Sequence, residues 1–95
     1  MHNKEQIIEL LRQYKYPDFA IDGVIAKLNS MEPEMSALFE KWLQTKEIPT
    51  DEINGFTFVE LIDKYKFTPI NAFLTLNWLI VDPENASAAL EGGIR

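Results

Sequence analysis

The sequence predicts an all-α protein of five or six short helices in a compact orthogonal bundle. Apolar residues recur at helical spacing, no segment shows the sustained alternation of a strand, and four of the five prolines stand where a helical pattern begins. The chain has 95 residues, which is the size of a single domain, and 46% of them are apolar. We therefore expect one helical domain over residues 1–95 with a sizeable core.

The first half of the chain contains three helical patterns. Asn3 with Gln6 gives an N-cap signal for helix 1, over residues 4–14. Helix 2 is predicted over residues 17–29, and helix 3 begins near Pro33. Helix 3 carries an amphipathic stripe, which predicts that it packs on the core: Met35, Leu38, Phe39, Trp42 and Leu43.

Residues 46–56 interrupt the helical pattern and are predicted to form a loop. This segment contains Pro49 and the turn signal Asn54-Gly55. A loop of this length needs contacts that hold it on the domain. The apolar residues available for this are Ile48, Ile53 and Phe56.

Three further helices are predicted after the loop. Thr57 with Glu60 forms a capping box that starts helix 4, which ends near Lys66. Helix 5 is predicted over residues 69–81, after a capping threonine and with proline in its first position. A short helix 6 over residues 83–91 ends before two glycines.

Two parts of the chain resemble each other. Residues 33–43 and 69–79 share Pro, Leu, Trp and Leu at the same spacing, and the match extends to residues 19–43 and 56–79 with a one-residue shift. One interpretation is a duplicated helical hairpin, helices 2–3 and 4–5, covered by the terminal helices. The other is a chance similarity between two hairpins with similar cores.

The formal net charge of −6 bears on the partner. An acidic surface repels the phosphate backbone, so the charge argues against nucleic-acid binding. It would suit a basic protein partner. It would also suit an inhibitor that mimics DNA and competes for a basic groove, which we keep as an alternative.

The sequence contains little that could support catalysis. The single histidine, His2, stands at a terminus, and there is no cysteine, no G-x-S-x-G motif and no glycine-rich phosphate loop. We therefore expect no enzymatic activity, no cofactor and no metal. The absence of cysteine, of a signal pattern and of a membrane-spanning run predicts a cytoplasmic protein that does not act in a membrane.

Helices 4 and 5 also permit a helix-turn-helix interpretation, because a tight turn separates them and helix 5 has a clear start. A recognition helix presents basic or amide side chains to DNA. Helix 5 offers Asn71, Thr75 and Asn77, but no lysine or arginine. A helix-turn-helix regulator is therefore the alternative, and a non-catalytic protein-interaction or regulatory module is the first expectation.

Residues 10–21, L-L-R-Q-Y-K-Y-P-D-F-A-I, resemble the first helix and the short aromatic loop of the ubiquitin-associated domain family. The resemblance covers the first 45 residues, which is under half of the chain, and implies a compact three-helix packing there. The family's Met-Gly-Phe loop reads Tyr14, Lys15 and Tyr16 in this chain. Because Lys15 replaces the glycine, the resemblance does not imply ubiquitin binding.

Helix 5 is apolar around most of its circumference, and one polar stripe contains a tryptophan. A helical wheel places Asn71, Thr75, Trp78 and Asp82 on this stripe. Two interpretations are open. In the first, helix 6 folds back and covers Trp78 with residues 86–90; in the second, Trp78 is at least half exposed and binds a partner. Asn77 points to the apolar side and needs a hydrogen-bond partner if it is buried.

Overall fold

The computed structural model describes residues 3–93, and this part of the chain is all-helical, without strands. The predicted all-α class is therefore confirmed. The α-helices are α1 (Lys4–Gln13), α2 (Asp18–Asn29), α3 (Pro33–Thr45), α4 (Phe58–Asp63), α5 (Pro69–Val81) and α6 (Pro83–Ala88). A π-helical turn, Ala89–Gly93, continues from α6.

The three capping signals in the sequence are satisfied by side chains. Asn3 Oδ1 accepts from the Gln6 N–H at 3.0 Å, and Thr57 Oγ1 accepts from the Glu60 N–H at 3.1 Å. Thr68 caps α5 in the same way. Each cap satisfies one of the backbone donors that a helix start leaves without an intrahelical partner, so these helix starts are fixed locally.

Two helix ends differ from the prediction. α4 ends at Asp63 rather than near Lys66, because Lys66 has a φ of 61° and this left-handed conformation cannot continue a right-handed helix. The Phe67 N–H instead donates to the Leu61 carbonyl at 3.0 Å. The second difference is at the C-terminal end of the described chain. Helix 6 was predicted to end before the two glycines, but a π-helical turn continues from α6 through Gly93.

The loop between α3 and α4 contains a tight turn at Asn54 and Gly55. Both residues have positive φ, 49° and 91°, as a type I′ turn requires. Ile53 and Phe56 exchange backbone hydrogen bonds across this turn. Phe56 is buried and holds the loop on the core, whereas Ile48 is 50% exposed and does not. The adjacent Pro49 is buried too, which the sequence did not indicate.

The core is organised around Phe73 of α5. Its ring centroid lies 5.1 Å from that of Phe39, 5.6 Å from that of Trp42 and 4.9 Å from that of Phe58. These rings come from α3 and α4, so one side chain joins three helices. The remaining buried residues of α5 extend the same core: Ile70, Ala72, Leu76 and Leu79.

Hydrogen bonds also connect α5 to distant segments. The Tyr16 hydroxyl, between α1 and α2, lies 2.7 Å from Thr68 Oγ1, at the start of α5. Burial raises the pKa of Tyr16, and the hydrogen bond to Thr68 offsets part of this rise. At the other end of α5, Asn54 Nδ2 donates to the Leu79 carbonyl at 2.6 Å. α5 is thus fixed at both ends.

The helix bounds agree only in part with two copies of one hairpin. α3 and α5 both have 13 residues and both carry proline in the first turn. α2 has 12 residues, but α4 has six. The duplication therefore stays a hypothesis.

Lys15 stands where the ubiquitin-associated family has a glycine, within the segment 10–21 that resembles that family. Its φ is 69°, a left-handed conformation that glycine adopts most easily.

Phe73→Ala should destabilise the domain by about 3–5 kcal/mol, because it removes the aromatic side chain that contacts three others and leaves a cavity. Phe19→Ala is the matched control. Phe19 is 91% exposed, so its truncation should change the free energy of unfolding by less than about 0.5 kcal/mol. Urea unfolding measured at low protein concentration compares the two variants, and equal effects would contradict the arrangement of this core.

Candidate partner-binding groove

The stripe predicted on α5 is at the surface, with different degrees of exposure along its length. Asn71 is exposed, Trp78 is 37% exposed, and Thr75 and Asp82 are half-buried. Trp78 is therefore neither fully covered nor half exposed. Trp42 of α3 is 7% exposed and belongs to the core, as the helical wheel indicates.

Three of the four stripe residues line one surface groove of about 500 Å³, which we call the Trp78 groove. α5 forms one wall, and the other is formed by the C-terminal end of α2 with the segment before α5. Both apolar and polar side chains line it. The lining residues are Lys27, Ser30, Phe67, Asn71, Leu74, Thr75, Asn77, Trp78 and Val81.

Asn77 holds the two walls together. Its Oδ1 atom accepts a hydrogen bond from the Glu32 backbone N–H at 2.8 Å, across 45 residues of sequence. Glu32 comes three residues after Asn29, the last residue of α2, and is the N-cap of α3. The Glu32 N–H is thus the hydrogen-bond partner that Asn77 was expected to need on the apolar side of helix 5. Because this bond ties the segment after Ser30 to α5, it fixes the width of the groove.

Asp82 is separated from the other stripe residues. It does not line the groove, and its Oδ2 atom accepts from Asn85 Nδ2 at 2.8 Å in the first turn of α6. Ala86 and Leu90 are buried, yet no residue from α6 onwards lines the groove within the described range. α6 therefore packs elsewhere on α5 and leaves Trp78 partly open to solvent.

The stripe occupies the positions of α5 that correspond to the buried face of α3. Thirty-six residues before Trp78 stands Trp42, and Met35 and Phe39 precede Asn71 and Thr75 by the same interval. All three α3 residues are buried. If the two hairpins are copies of one another, α5 thus carries polar residues at positions that α3 buries, and Trp78, at the position of the buried Trp42, is partly exposed.

The groove is nearly uncharged. Among residues 3–93, Lys27 is the charged side chain that lines it, and Lys27 makes no ion pair there. The two surface ion pairs of this part of the chain lie elsewhere, Arg12–Asp18 at 3.6 Å and Lys41–Glu47 at 2.9 Å. The acidic excess of the chain is therefore not concentrated at the groove.

The sequence did not identify several members of the groove. A wheel of a single helix finds the stripe on α5, but Lys27, Ser30 and Phe67 come to the groove through the packing of other segments. Phe19 is a second feature that was missed. It is 91% exposed, and its position opposite the apolar face of helix 2 is the signal that could have identified it.

The described residues contain no group of three or more His, Asp or Glu side chains placed to hold a metal ion. His2, the one histidine, lies outside the described residues. No helix within residues 3–93 is both long enough and apolar enough to cross a membrane.

No protein-family model matches the chain, and neither do any curated protein or any solved structure.

Collisional quenching should distinguish the two tryptophans. In a Trp42→Phe background, Trp78 should emit at longer wavelength and be quenched by acrylamide more steeply than Trp42 in a Trp78→Phe background. The expected order follows their exposures of 37% and 7%. A blue-shifted, quencher-resistant Trp78 would mean that the groove is closed in solution.

Proposed function

We propose that this chain is a non-catalytic protein-interaction or regulatory module that binds its partner at the Trp78 groove. The observation that carries the proposal is a partly exposed tryptophan in a groove lined by Asn71, Thr75 and Asn77. A large aromatic surrounded by hydrogen-bonding groups is the composition of a binding hot spot. The cytoplasmic location stays a prediction from the sequence.

The rigidity of the groove supports this proposal. Trp78 stands on a helix that is anchored by core side chains, and the Asn77–Glu32 hydrogen bond holds the opposite wall. A partner that enters such a groove orders few side chains. Because ordering side chains opposes association, a rigid groove favours affinity.

A second surface has exposed apolar residues but suits binding less well. Ile48 and Val59 lie beside Pro69 in a smaller depression of about 370 Å³, and both are about half exposed. Tyr14 and Asp63 also line this depression, but its exposed apolar side chains, Ile48 and Val59, are aliphatic and form no hydrogen bonds. The Trp78 groove instead exposes an aromatic side chain next to amide and hydroxyl groups. Val59 therefore serves as a control for exposed apolar area outside the proposed site.

The nucleic-acid alternatives gain less support from the geometry. The exposed residues of α5 are Asn71, Trp78 and Val81, none of which is basic, and α5 is packed on several sides. A recognition helix must enter a DNA groove with an accessible basic or polar face. The proposal for the acidic DNA mimic draws on net charge alone, and the groove adds nothing to it.

Affinity capture from the native host tests the proposed site. Trp78→Ser should reduce recovery of the specific partner about tenfold or more, as expected for a hot-spot residue. Val59→Ser, at a residue that is 47% exposed outside the groove, should leave recovery unchanged. Circular dichroism checks the folding of both variants. Recovery that is the same for Trp78→Ser and the unsubstituted chain would overturn the proposal.

A further inference from the structure

The outer face of α2 carries an exposed aromatic side chain at one end and reaches the Trp78 groove at the other. Phe19, in the first turn of α2, is 91% exposed and has the largest exposed fraction among the large apolar side chains of residues 3–93. Gly23, Ala26 and Ser30 follow it at helical spacing, and all are exposed. Ser30 also lines the groove. One helix side therefore presents a protruding ring at one end and the edge of a groove at the other.

No contact within the described residues explains why glycine occupies position 23, in the interior of α2. Glycine is among the least favourable residues in a helix interior. A Cβ atom added at Gly23 would meet no atom within 4 Å, so nothing in the chain requires the space. Such a position does allow the close approach of another backbone from outside.

The geometry points to a second copy of this chain as the occupant of the Trp78 groove, with Phe19 of each copy inserted into the groove of the other. This inference rests on the proposed function of the groove. When two α2 helices pack antiparallel with Gly23 opposite Ala26 of the second copy, Phe19 comes opposite Ser30 of that copy. The contact is then made twice about a two-fold axis and closes as a dimer.

The helix length fits this arrangement. Phe19 and Ser30 are eleven residues apart, or about 16 Å along the helix axis. The two small residues between them, Gly23 and Ala26, stand near the two-fold axis, where the helices must approach most closely. The face carries one acid, Asp22, and one base, Lys27, so it is locally neutral although each copy has a net charge of −6.

The area is that of a weak but specific dimer. One inserted Phe19 and the groove wall it covers remove on the order of 300 Å² from solvent. Two such contacts and the α2 faces between them bring the total to on the order of 1,000 Å², the lower limit for a specific interface. We therefore expect association in the micromolar range or weaker, strengthened by salt that screens the repulsion between two acidic chains.

Sedimentation equilibrium of the full chain, from about 1 μM to about 1 mM, tests the inference across the affinities expected of such an interface. The unsubstituted chain should form dimers. Phe19→Ala and Trp78→Ser should each weaken the dimer about tenfold or more. Val59→Ala, outside the proposed face, should leave the association constant unchanged.

Gly23→Gln supplies the sharpest variant. A Cβ atom is accommodated there and glutamine favours the helix, so the monomer should be at least as stable in urea, whereas the dimer should be lost. A chain that stays monomeric at about 1 mM would overturn the inference. A dimer that persists in Gly23→Gln, or an association constant that is unchanged in Phe19→Ala, would overturn it too.

The two proposals fail in different ways. If capture from the host recovers a different protein in a Trp78-dependent manner while the purified chain is monomeric, the groove binds a partner but the second copy is excluded. If the untagged chain itself is recovered with the tagged one, and Trp78→Ser abolishes this, both proposals are supported. If neither association depends on Trp78, both are overturned.

Discussion

The contact of Phe73 with three other aromatic rings is the interaction on which the rest of the fold depends. Its centroid lies between 4.9 and 5.6 Å from those of Phe39, Trp42 and Phe58, distances at which aromatic side chains attract each other beyond the burial of their area. Helices of six to 13 residues are marginal by themselves in water. Their stability must therefore come from packing on one another. α5 is the element on which α3, α4 and α6 pack, whereas α1 packs on α2.

The position of α5 also explains why a groove forms beside Trp78. A helix that is apolar on most sides must be covered on most sides. α3, α4 and α6 pack against α5 and provide this cover. The remaining side faces the end of α2, and Asn77 sets the distance by accepting the Glu32 N–H. The polar residues Asn71 and Thr75 are tolerated there because water reaches that side.

Local signals made most of the fold predictable from the sequence. Side-chain caps at Asn3, Thr57 and Thr68 act within four residues of sequence, so a sequence pattern is sufficient to locate these helix starts. The end of α4 could not be located in this way. Lys66 is exposed and adopts a positive φ that lysine does not favour, so its residue type gives no signal of a helix end there.

The candidate site was predictable only where one helix supplies it. Helical wheels of α3 and α5 separate the buried Trp42 from the partly exposed Trp78. The wheel of α5 also places Asp82 on the stripe, but the Asp82 side chain accepts a hydrogen bond from Asn85 and does not line the groove. The opposite wall depends on a hydrogen bond across 45 residues, and no single-helix pattern reports such a contact. The exposure of Phe19, in contrast, follows from its place opposite Ile21, Ile25 and Leu28 on α2.

Native-state hydrogen exchange tests the central role of α5 most directly. If the other helices depend on α5, the amides of Phe73, Leu76 and Leu79 should exchange only through global unfolding, with a free energy equal to that from urea unfolding. Amides of the short α6 should exchange through smaller openings. Exchange of the α5 amides at a lower free energy than those of Leu10 and Leu11 in α1 would contradict the central role of α5.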